Sequence, residues 1–137
     1  FEAVGDGGDD GSGSDKTGQG EGSEFKRKLT SIEGLDYDIA MRHCAGSEEV
    51  LEEIVSDMVS ESSGRAERMK KSLEEKDYNA YRIEAHTIKS NMATIGLTAL
   101  SERAKKHEFA ARDNDTDFID KDSADFIKEY LEVFKKL

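Results

Sequence analysis

His86, Lys89 and Ser90 lie close enough in the chain to share one flank of a helix, and together they could hold a reactive imidazole in the open. Side chains three and four positions apart are helix neighbours, so Lys89, Ser90 and, at the seventh position, Ala93 stack beside His86. A neutral imidazole presents a nucleophilic ring nitrogen near physiological pH, and Lys89 would offset negative charge placed on it. Ser90 and Ala93 add little bulk. The pattern suits a histidine that carries a phosphoryl group.

The element that must position these residues is written around them. Tyr81, Ala85, Ile88, Met92 and Ile95 recur at alternating steps of four and three, the stripe of an amphipathic helix, and His86 lies beside that stripe. Asp77 is expected to open the helix. Gly96 is expected to close it, either as a left-handed cap or as a point of close helix packing. The spacing His-x-x-Lys-Ser, with Gly six residues after the Ser, resembles the signature of histidine-containing phosphotransfer (HPt) domains, the relay modules of multistep two-component signalling. The resemblance runs from about Leu35 to Leu137.

That resemblance implies that His86 takes a phosphoryl group on Nε2 from the aspartate of one receiver domain and gives it to the aspartate of another. The partners implied are response-regulator receivers and a hybrid sensor histidine kinase. Mg²⁺ belongs to the receiver, and no cofactor is expected in this chain. Lys89 becomes a cation near the phosphoryl oxygens, and Ser90 the clearance that lets a receiver's aspartate reach in-line distance. Glu108 and Arg112, one turn apart on the next segment, would come near His86 if that segment returns antiparallel. Glu108 could then accept the Nδ1 proton and leave Nε2 free, while Arg112 faces phosphate; the alternative is a surface ion pair between the two. The family's docking surfaces imply Tyr37, Met41 and Met92 as contacts for a partner. Two other readings stay open: the phosphoacceptor domain of a chemotaxis-type histidine kinase, and a helical adaptor in which His86 is incidental.

The remaining chain supports an all-α domain. Proline and tryptophan are absent, 37% of residues are charged, and the apolar residues fall at helical rather than alternating spacing. The region 32–45, with Asp36 as cap and Gly46 as stop, predicts a short leading helix. Ser47 caps a helix with the stripe Val50, Leu51, Ile54, Val55, Met58 and Val59. Ser62-Ser63-Gly64 is expected to break it, leaving a shorter helix over 65–76 with Ala66, Met69 and Leu73 inward. Leu97, Leu100, Ala104, His107 and Ala111 mark the antiparallel return. Thr116 would cap a last helix striped by Ile119, Ser123, Phe126, Tyr130, Val133 and Leu137. The expected architecture is an antiparallel four-helix bundle over 32–137 with a short additional N-terminal helix.

Residues 1–31 read instead as a flexible tail or linker, since the first two dozen hold most of the twelve glycines with Asp, Ser and Gln and little to bury. Gly22-Ser23-Glu24-Phe25 resembles a cloning scar, so excision from a longer protein is expected. Lys26-Arg27-Lys28 reads as a solvated lead-in.

A net charge of -11 provides no basic face for nucleic acid and would be repelled by an anionic membrane. Cys44 is the single cysteine, so no internal disulfide can form, and no apolar run approaches a membrane span. A cytoplasmic monomer is the expectation. His43 and Cys44 point in different directions from adjacent helical positions and make no metal site. His107, on the apolar stripe, reads as a packed or boundary histidine. No glycine loop of nucleotide-binding type precedes a helix, so no kinase or ATP-binding module is expected in this chain.

Overall fold

The computed structural model describes residues 24–137, and its regular structure is helical. The chain divides after Ser31. Before that point lies α1 (Glu24–Thr30), inside the segment expected to be a lead-in. Glu24 in its first turn and Arg27 and Lys28 in its last suit the helix dipole, and the Thr30 and Ser31 hydroxyls close it by donating to the Lys26 and Lys28 carbonyls. The rest of the expected tail, residues 1–23, lies outside the described residues.

From Ile32 onward the unit holds α2 (Tyr37–His43), α3 (Glu48–Glu74), α4 (Tyr78–Thr94), α5 (Thr98–Arg112) and α6 (Thr116–Lys135). Asp36, Ser47, Asp77 and Asp115 each cap a helix by accepting a first-turn N–H. The last cap therefore falls on Asp115, one residue before the Thr116 expected from sequence. Helix α4 packs between α3 and α5, α6 closes the bundle against α5 and α3, and α2 lies on α3 and α4. The predicted stripes form the core: Tyr81, Ala85, Ile88, Met92 and Ile95 have no exposed surface, and Leu100, Ala104, Ile119, Phe126 and Tyr130 are buried with them.

The expected break at Ser62-Ser63-Gly64 does not occur, because α3 runs unbroken for 27 residues. Ser62 is buried and turns its hydroxyl back onto the Val59 carbonyl, and packing on both sides of the polar triplet outweighs its weak helix propensity. Val50 is 41% exposed, so the stripe on α3 is narrower than its composition suggests. Gly64 needs no glycine conformation, and a Cβ there would meet only Arg68 Nη1 at 3.5 Å. Gly64→Ala is therefore expected to raise stability by about 0.5–1 kcal/mol, read as a higher urea midpoint at unchanged m.

Gly96 serves both roles that its position allowed. At φ +84° it ends α4 with Gly96 N–H donating to the Ala93 carbonyl and Leu97 N–H to that of Met92. Its bare Cα also lets the Asp36 backbone approach, with Asp36 N–H donating to the Gly96 carbonyl at 2.9 Å. An isolated antiparallel bridge between Leu35 and Leu97 continues this contact. His43 adds a second tie from α2, since its Nδ1 lies 3.0 Å from the Thr94 carbonyl in the last turn of α4. No helix among the described residues is long and apolar enough to cross a membrane.

Candidate functional site

His86 projects from the middle of α4 with 56% of its side chain exposed. The antiparallel return of α5 brings Glu108 beside it, with Glu108 Oε2 2.9 Å from His86 Nδ1. A carboxylate can only accept, so Nδ1 carries the proton, and the lone pair of a neutral ring stands on Nε2. The second oxygen, Glu108 Oε1, lies 2.9 Å from Lys89 Nζ. Glu108 is only 13% exposed, and burial pushes its pKa up; Lys89 and His86 together outweigh burial and hold it below the usual glutamate range. The carboxylate thus stays charged and holds the imidazole on one side and the ammonium on the other. Lys89, expected as a cation awaiting phosphate, is held next to the imidazole by this shared partner.

Ser90 is exposed one turn beyond His86, and Ala93 is exposed beyond it. The approach to Nε2 is lined by small side chains. Ile83, one turn before His86, is 51% exposed, an apolar surface residue that periodicity did not single out.

Two expected site residues are engaged in other contacts. Arg112 neither pairs with Glu108 nor stands free for phosphate: its guanidinium donates twice to Asp113, at 2.9 and 3.2 Å, and stacks over the Phe109 ring. The adjacent carboxylate needs less side-chain ordering than a partner one turn away. Met92 cannot contact a partner, because it sits on the buried stripe with no exposed surface. Tyr37 and Met41 are half-buried on α2; Tyr37 donates to Glu48 Oε2 at 3.1 Å, and burial with the Glu48 charge pushes its pKa up to about 12.

On the other flank of α4, Glu84 receives Arg65 Nη1 at 2.6 Å and Arg68 Nε at 2.9 Å, both from α3. Burial raises the Glu84 pKa, but the two guanidiniums outweigh it and leave it low. The phosphoacceptor candidate therefore stands on a helix fastened to both neighbours by charge-assisted bonds.

His107 is fully buried and belongs to a network that inspection of the sequence missed. Its Nε2 lies 2.8 Å from Asp122 Oδ2 on α6, its Nδ1 lies 2.8 Å from the Tyr81 hydroxyl on α4, and its ring stacks on Phe126. Arg103 grips Asp122 through two nitrogens and reaches Asp125 and Glu129 as well. Burial, helped by Arg103, holds the His107 pKa below the ordinary histidine value despite Asp122. A depressed histidine pKa means that the unfolded chain binds the proton first. Stability is accordingly whole above about pH 6.5 and falls as pH drops from there toward the folded-state pKa. Asp122, Glu84 and Glu108 are also depressed, but as carboxylates they lose their contribution only at lower pH, through their own range below about 4.5. The urea midpoint is expected to fall between pH 7.5 and 5.5 in the wild type and to stay nearly flat in His107→Asn.

Among the described residues no group of three or more His, Cys, Asp or Glu side chains is placed to hold a metal ion. Cys44 is buried at the end of α2.

A family model of the Hpt domain matches residues 53–135, which spans most of α3 and all of α4 and α5 to the end of α6. No curated protein and no solved structure matches the chain.

Proposed function

The chain belongs to the Hpt domain family, and from that premise we propose that it is a phosphohistidine carrier, with His86 relaying a phosphoryl group between receiver domains. The observation that carries this reading is the pairing of His86 Nδ1 with Glu108 at 2.9 Å on an otherwise open flank. The Nε2 lone pair attacks the phosphorus of a receiver's aspartyl phosphate in line. The N–P bond forms as the P–O bond to the aspartate breaks, and the aspartate leaves as a carboxylate. The ring becomes cationic as the bond forms, and Glu108, already accepting from Nδ1–H, stabilises that charge. Lys89 offers its ammonium to the phosphoryl oxygens. Ser90 keeps the approach clear. The second transfer is the reverse of the first, onto the aspartate of another receiver. Mg²⁺ would be held by the receiver, and the carrier supplies nucleophile, orientation and a docking face. A modest interface suits it, because a relay must release each partner.

The reading is tested by incubating the protein with a phosphorylated receiver domain and recording its intact mass. One added phosphoryl group that is lost in acid is expected. Labelling by an ATP-dependent kinase core, with none from any of several receivers, would instead make His86 the phosphoacceptor of a chemotaxis-type kinase. No labelling from either source would favour the adaptor.

A further inference from the structure

Two adjacent residues of α5 reach α4, one at the surface and one in the core. Glu108 holds His86 at the rim, and His107 holds Tyr81 inside. We infer that His107 is a positioning residue for His86: anchored by Tyr81 and Asp122, it fixes the roll of α5 that presents Glu108 to the phosphoacceptor. The functional consequence rests on the relay reading, whereas the geometry stands without it.

The hydrogen-bond roles in this network have one consistent assignment. Asp122, gripped by Arg103 at 2.6 and 3.0 Å, is an acceptor, so His107 Nε2 must carry the proton. Nδ1 is then the acceptor, and the buried Tyr81 hydroxyl, its pKa raised by burial, donates to it. Turning the ring over would break both bonds at once, and Phe126 at 4.3 Å and Phe118 at 4.9 Å hold its plane. The two histidines are thus held in opposite tautomers, His86 with the proton on Nδ1 and His107 with it on Nε2.

An aliphatic residue at position 107 would fill the same space without a directional bond. Side-chain tips stand ~5–6 Å from a helix axis, so a roll of about 10° would move Glu108 by about 1 Å. The 2.9 Å bond to His86 would not survive that displacement. Successive residues differ by about 100° around the helix, so pinning His107 inward sets the direction of Glu108 outward.

The test uses ¹⁵N-labelled protein and long-range ¹H–¹⁵N spectra at pH 7.5, which report the tautomer of each histidine. Tyr81→Phe removes only the hydroxyl and keeps the core volume, while His107→Leu removes both bonds. In each variant the His86 nitrogens are expected to move toward the Nε2–H form favoured by free imidazole. Phosphoryl acceptance from a receiver should slow about fivefold, the worth of one hydrogen bond. His107→Asn, which keeps an acceptor where Nδ1 stands, should recover part of the loss seen with Leu. Unchanged His86 nitrogen shifts in folded Tyr81→Phe would overturn the inference. A wild type that no receiver phosphorylates would sink the relay reading and leave the comparison of nitrogen shifts to decide the positioning role.

Discussion

His86→Gln is expected to leave the bundle folded and to abolish the acid-labile phosphate, a loss of at least ~10³-fold that reaches the detection floor. The fold should be indifferent, because the side chain is more than half exposed and its one hydrogen bond runs to Glu108. Glu108 keeps Lys89 as a partner in the variant, and the new amide can donate in place of Nδ1, so no buried carboxylate is orphaned. Stability should change by no more than about 0.5 kcal/mol. The chemistry has no such substitute, since an amide nitrogen has no available lone pair to attack phosphorus. Of the other histidines, His107 has no exposed surface, whereas His43 is exposed at the end of α2 with Nδ1 donating to the Thr94 carbonyl and Nε2 free, so the site of labelling must be located. Peptide mapping of the labelled wild type should place the modification on the peptide containing His86. Undiminished labelling of a folded His86→Gln variant would remove His86 from the reaction altogether.

What is legible in the sequence follows from which interactions are local. The alternating steps of four and three through Tyr81, Ala85, Ile88, Met92 and Ile95 describe a buried stripe, and that stripe is fully buried. The short link from Gly96 to Thr98 turns α5 back along α4, and this, together with the family resemblance, made the meeting of His86 and Glu108 legible as one of two readings. The same stripe should have excluded Met92 as a docking residue, because a side chain four positions beyond Ile88 shares its burial. Continuity of α3 was not legible. Ser62-Ser63-Gly64 is a local signal for a break, and only packing from neighbouring helices overrides it. The partner of Arg112 was hidden for a related reason, since helical spacing gives adjacency to Glu108 but does not rank it against Asp113 next door.

The His107 network needed the relative roll of three helices, which no single-helix pattern contains. Half of it was visible all the same. Asp122, Asp125 and Glu129 recur at steps of three and four on α6, and Arg103 stands one turn before His107 on α5. An acidic ladder facing an Arg and His pair is a signal that two helices are keyed by charge.

The second large effect is expected at Gly96, where alanine should cost about 3 kcal/mol, a value at the upper end for a single methyl group. Two independent penalties add. A residue with Cβ at φ +84° costs about 1–2 kcal/mol on its own. The new Cβ would also fall against the Asp36 carbonyl oxygen, with the Asp36 carbonyl carbon at 2.9 Å and nitrogen at 3.0 Å. Backbone cannot swing aside as a side-chain tip can. Relief requires lifting Asp36, which would break its N–H bond to the Gly96 carbonyl and disturb the cap that Asp36 places on α2. Gly46 supplies the control, since it has φ +77° and nothing within 4 Å of its added Cβ. Gly46→Ala should therefore show the conformational penalty alone, about 1–2 kcal/mol. Urea unfolding of both variants, read as midpoint shifts at constant m, separates the two terms. Equal losses would mean that the approach of Asp36 contributes nothing, and that Gly96 is needed only as a helix cap. A larger loss at Gly96 would show that this glycine joins α2 to the end of the helix that carries His86.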